Sequence, residues 1–143
     1  MRSIALLACV PGAVILFSAC TSSDPAPART CVPVDTACAP LYEPKYSEVF
    51  ERTLKPSCGR EGASCHASQP SPQKGIALDD ADAAYDLLLK DARGLVVAGD
   101  PSCSLIINRI TSSDGFVRMP PGRALQPAET CAIVQWIAAG AKR

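Results

Sequence analysis

Eight cysteines in a chain of 143 residues constrain this sequence more than any other feature. They are Cys9, Cys20, Cys31, Cys38, Cys58, Cys65, Cys103 and Cys131. A small chain with so much sulfur is either cross-linked or holds something through its thiols, and the compartment decides between the two. Large side chains for a core are scarce, with one Trp, three Tyr and three Phe. A domain of this size with so few aromatics gains from disulfides or from a cofactor enclosed within it.

The N-terminus points to an oxidising compartment. Arg2 is followed by the uncharged apolar run from Ile4 to Phe17, then by the small residues Ser18 and Ala19 before Cys20. That order describes a secretory signal over residues 1–19, and the run is short for a membrane span. The stretch "FSAC" resembles the lipobox of bacterial lipoproteins, with Phe17 where leucine is usual. This resemblance implies a lipidated Cys20 as the first mature residue. The chain is then exported and lipid-anchored to a bacterial membrane, on the periplasmic side or in the cell envelope. An ordinary cleaved signal is the alternative. Beyond Cys20 the charges nearly cancel, with 13 Lys and Arg against 14 Asp and Glu, which gives no footprint for nucleic acid.

Residues 20–43 form a tether rich in Pro, Ser and Ala, holding Cys31 and Cys38. A single domain over residues 44–143 follows, and its apolar periodicity predicts a mostly α fold. Tyr46, Val49, Phe50 and Leu54 share one helical face, which Pro56 ends just before Cys58. Asp79 or Asp80 caps a second helix with Ala84, Tyr85, Leu88 and Leu89 on one side. In "GDPSCSLIINRI", Asp100 is expected to cap a third helix with Pro101 at its first position, turning Leu105, Ile106 and Ile110 inward. A last helix runs from about Pro127 to Ala139, stops at Gly140 and carries the stripe Ile133, Val134, Trp136 and Ile137. No repeat and no alternating strand pattern occurs.

Chemistry concentrates in "CGREGASCH", Cys58 to His66. A cysteine pair followed directly by histidine is the pattern of covalent haem attachment, usually with two residues between the cysteines. Here there are six. His66 is the sole histidine, and Met119 the sole methionine after the initiator. Imidazole and thioether are the two ligands that together raise the potential of a haem iron. Met119 lies in "RMPPGR", where Pro120 and Pro121 hold the backbone extended. The competing interpretations are a Cys58–Cys65 disulfide, or a metal held by Cys58, Cys65 and His66, for which no fourth ligand is evident. With one histidine, no hydrolytic triad or Glu-x-x-His arrangement is available, so catalysis is not expected.

From about Tyr46 to Ala141 the chain resembles a class I cytochrome c domain, and specifically the planctomycete-type domain found in myxobacterial lipoproteins. The residues that carry the resemblance are "CH" at Cys65–His66, "KGIALDD", "VVAGDPSCSLIINRI", "RMPPG" and "QWIAAGA", in the family's order. It implies a small cytochrome c-like helical domain with one covalent haem c. His66 is then the proximal ligand, Met119 the distal one and Cys65 one thioether link, and the helices bearing Phe50 and Trp136 cross; Cys58 is expected to form the second link through a bulged loop. The departure is Cys58, six residues rather than two before Cys65. The function expected is an electron-transfer lipoprotein module serving a redox partner protein of unknown identity. The alternative is a haem-free, disulfide-stabilised module with a structural or interaction role. For the remaining cysteines, the expected pairs are Cys103 with Cys131, and Cys31 with Cys38.

Overall fold

A computed structural model describes residues 30–60, 65–115 and 117–143. The signal and Cys20 therefore lie outside the described residues. Within them the chain is helical and has no strand. Helical backbone begins with α1 (Tyr46–Val49), widens into a π segment (Phe50–Leu54) and closes with α2 (Lys55–Ser57). The π turn places the Lys55 N–H on the Phe50 carbonyl, five residues back. Pro56 offers no N–H, and in a regular α-helix its ring would press on the Arg52 carbonyl. The wider turn accommodates that ring, so the helix passes through Pro56 and stops at Ser57. The Leu54 carbonyl then accepts from both Cys58 and Gly59, at 2.8 and 3.0 Å.

Helix α3 (Ala81–Lys90) is capped by Asp80, whose carboxylate accepts from the Asp82 and Ala83 N–H groups. It buries Ala84 and Leu88. Helix α4 (Leu105–Thr111) starts later than expected, because Ser104 and not Asp100 is its N-cap residue. Asp100 instead closes the preceding turn by accepting from the Cys103 N–H and the Ser102 hydroxyl. The orphan donors of α4 find their partners outside the helix: Leu105 donates to Gly94 O and Ile106 to Leu95 O, each at 3.0 Å. Helix α5 (Pro127–Ala138) opens with a reciprocal Gln126–Glu129 capping box and Pro127 at its first position. It ends before Gly140, whose φ of 94° suits only a residue without Cβ.

The core lies between α1, the π segment and α5. Tyr46 packs on Trp136 at 5.5 Å between centroids and on Tyr85 edge-on at 4.7 Å. Each polar tip is satisfied: Tyr46 donates to Ala81 O, Tyr85 to Ala141 O, and the Trp136 indole to Lys142 O. Val49, Ile107, Ile133 and Ile137 are fully buried around this cluster. The expected meeting of the first and last helices is therefore present.

From Thr30 onward the segment expected as a tether is fastened to the domain. Val32 donates to Ser102 O and Leu41 to Ala128 O, while Gln135 donates back to the carbonyls of Thr36 and Cys38. This course corrects the expected disulfides. Cys31 pairs with Cys103, and Cys38 with Cys131, across sequence separations of 72 and 93 residues. The strap carries its first cysteine over the 100–104 turn and its second over α5, so each meets the element beneath it rather than the other. Cys131 is buried under the strap. Links closing such long loops typically contribute about 2–4 kcal/mol each, chiefly by restricting the unfolded chain.

Candidate functional site

The residues around His66 are laced together by backbone. After the turn at Gly59 the chain comes back so that the His66 N–H donates to Cys58 O at 3.1 Å. Leu78 N–H then donates to His66 O at 2.7 Å, and Gln73 N–H to Cys65 O at 2.8 Å. Three segments, at Cys58–Gly59, at Cys65–His66 and at Ile76–Leu78, thus form one layer without being a sheet. Asp79 reinforces it by accepting from both the N–H and the hydroxyl of Ser68.

The His66 ring is oriented from within this layer. Its Nδ1 lies 3.0 Å from the Ile76 carbonyl oxygen. A carbonyl only accepts, so Nδ1 carries the proton, and the neutral ring keeps the Nε2 lone pair for a ligand. A backbone acceptor of this kind fixes the tautomer and direction of a metal-binding histidine.

His66 lines a cavity of about 390 Å³, a volume within the range of small-molecule sites. Cys58, His66 and Met119 all line it. Its walls are otherwise mainly aliphatic: Ile76 and Leu78 from the layer, Leu88 from α3, Leu95, and Leu105, Ile106 and Ile110 from α4. Met119 comes from the loop between α4 and α5, held by its N–H on the Arg109 carbonyl at 2.9 Å. Sequence reasoning thus selected three residues, two of them neighbours in the chain and Met119 far from both, that share one cavity. Cys65 is not among the lining residues, although it is half-exposed directly beside His66.

Cys58 and Cys65 are both free thiols, and no disulfide joins them. Burial, and secondarily the nearby Cys65 thiol, push the Cys58 thiol up to about 11. No cluster of three or more His, Cys, Asp and Glu side chains suited to a metal ion occurs among the described residues. The interpretation of Cys58, Cys65 and His66 as a metal site therefore gains no support.

Sequence reasoning missed the charged part of the cavity. Lys74, Arg93 and Arg109 also line it. Arg93 forks onto Asp91 at 2.6 and 2.8 Å and donates to Lys74 O at 3.0 Å, tying the 73–75 turn to the end of α3. The same guanidinium holds the Asp91 carboxyl down to about 2. Next to Met119, the buried Arg118 Nε has no acceptor among the described residues. No motif marked these cations, because each comes from a different turn or helix.

The model of the Planctomycete cytochrome C family matches residues 63–122, a span that includes Cys65, His66 and Met119 and begins after Cys58. No curated protein and no solved structure gives a match. The family match falls on a stretch that contains both rare ligand residues and much of the cavity wall, and over those residues it supports the planctomycete-type cytochrome c domain that the sequence motifs indicated.

Proposed function

We propose that the chain is a haem c-binding electron-transfer module, exported and anchored to a bacterial membrane through lipid on Cys20. The observation that carries this proposal is the convergence of Cys58, His66 and Met119 on one largely aliphatic cavity. The residues present fit the group. His66 offers a nitrogen lone pair aimed by Ile76 O, and Met119 offers a soft thioether. Lys74, Arg93 and Arg109, which line the cavity, supply positive charge against the carboxylates of a haem. When bound, haem c supplies a one-electron redox couple, which His and Met ligation sets at a raised potential.

The chain's own residues do the rest. The His66 nitrogen and the Met119 sulfur would hold the iron. The aliphatic walls exclude water, which stabilises the less charged form of a redox centre. Cys58 and Cys65 provide the sulfurs for covalent attachment across a loop longer than usual. No side chain is assigned bond-making chemistry, and a redox partner protein takes and gives the electron.

A haem-free structural module is the second interpretation, and one observation favours it: two disulfides cross-link this fold between its N-terminal strap and its body, through cysteines other than Cys58 and Cys65. Purification of the exported protein from its own host, followed by denaturation and extraction with acidified organic solvent, separates the two. Haem remaining on the polypeptide, with its mass on the peptide containing Cys65, is the expected result. A colourless chain would overturn the haem proposal.

A further inference from the structure

Gly59 is buried, and its backbone lies against that of Leu78 and Asp79. A Cβ at residue 59 would lie 2.0 Å from Leu78 O, 2.3 Å from Leu78 C and 2.8 Å from Asp79 N. All three are backbone atoms, which cannot swing aside as a flexible side chain does. The requirement is one of close approach and not of φ. By contrast, a Cβ at Gly115 would meet nothing within 4 Å.

The segment pressed against Gly59 is the one that orients His66. Leu78 N–H holds His66 O at 2.7 Å, and two residues earlier Ile76 O accepts from His66 Nδ1 at 3.0 Å. On the other side of the contact, Cys58 O accepts from the His66 N–H. The histidine is therefore held between two backbone segments whose separation is set by the missing side chain of residue 59.

We propose that Gly59 is a positioning residue for His66: its bare Cα seats the Leu78 carbonyl and so keeps Ile76 O on Nδ1. A methyl group there displaces the 76–79 segment by on the order of 1 Å before carbon and oxygen reach ordinary contact. A hydrogen bond of 3.0 Å does not survive that displacement in good geometry. Nδ1 then loses its acceptor, and Nε2 is no longer reserved as the bare nitrogen. The proposal rests on His66 as a ligand, but the orientation it describes exists in the haem-free chain.

The sole histidine makes the test unambiguous, since the ring nitrogens give one set of signals. The full chain is exported in a host lacking haem-attachment machinery and labelled with 15N. Imidazole shifts are read at a pH alkaline enough for the neutral ring. The expected wild-type state is predominantly the Nδ1–H tautomer. Gly59→Ala is expected to convert it to predominantly Nε2–H, while Gly115→Ala leaves it unchanged. A wild-type ring in the Nε2–H form overturns the proposal, as does a Gly59→Ala chain that keeps Nδ1–H. Loss of helical circular dichroism in Gly59→Ala also overturns it, by showing that the contact holds the whole fold. A chain that carries no haem in its own host yet shows the expected tautomers refutes the haem proposal alone.

Discussion

Two residues on one cavity wall are placed under opposite demands. Under the haem proposal Cys58 would give its sulfur to a covalent link, yet burial and the neighbouring Cys65 push its thiol up to about 11, so near neutral pH it is almost entirely protonated. Only the thiolate is a good nucleophile, and a pKa about two units high leaves about a hundredfold less of it. In the haem-free folded chain, iodoacetamide is therefore expected to modify Cys58 roughly a hundredfold more slowly than in urea at pH 7.5. The folded-state rate should climb with pH and level off only near 11. Equal rates in folded and unfolded chains would show that the thiol is not held in its neutral form. Met119 has no such conflict, because a thioether needs no deprotonation. It is only partly buried and sits in a loop. Met119→Ala is expected to leave the thermal midpoint of the haem-free chain nearly unchanged. In the haem-loaded chain it should abolish the methionine–iron absorption and lower the reduction potential. A loaded variant with the wild-type potential would remove Met119 from the ligand set.

At the scale of elements, short-range chemistry decided most boundaries. Asp80 satisfies two orphan donors of α3 by itself, and a cap of this kind contributes about 1 kcal/mol. Asp80→Ala should lower unfolding free energy by roughly that amount in urea titrations, with the m-value unchanged. No loss would mean that water replaces the carboxylate at no cost. Asp100 looked equivalent in the sequence, with Pro101 behind it, and differs because tertiary contacts intervene. The Gly94 and Leu95 carbonyls take the first donors of α4, and Ser104 bridges Val97 N and Asp100 O, so the helix starts at Leu105. The apolar faces of α1, α3 and α5, the end of α5 before Gly140, and the shared cavity of Cys58, His66 and Met119 were all legible, since period and rarity are local properties. The disulfide partners were not legible. Four cysteines permit three pairings, and the choice depended on a strap whose contacts with Ser102, Ala128 and Gln135 leave no periodic signal. Gly59 was equally silent, because its role depends on a backbone that arrives almost twenty residues later.

For the whole molecule, the strap changes what the N-terminal lipid would hold. A spacer running to residue 43 would let the domain wander widely, whereas the Cys31–Cys103 link fixes the chain to the domain far earlier. Eleven steps of chain separate Cys20 from Cys31. Fully extended they span roughly 40 Å, so an anchored Cys20 keeps the turn beside Cys103 within that distance of the membrane surface. No helix among the described residues is long and apolar enough to cross a membrane. The near balance of acidic and basic residues also offers little attraction to anionic headgroups. Under the proposed anchoring, retention would rest on acyl chains at Cys20, each buried methylene contributing about 0.8 kcal/mol. Cys20→Ser is expected to move the exported protein from the membrane pellet to the soluble fraction, with both disulfides intact. The mature wild-type mass should exceed that of the peptide chain by the lipid. Membrane association that survives the substitution, together with a wild-type mass showing no acyl chains, would assign retention to another surface of the domain and return Cys20 to an ordinary signal sequence.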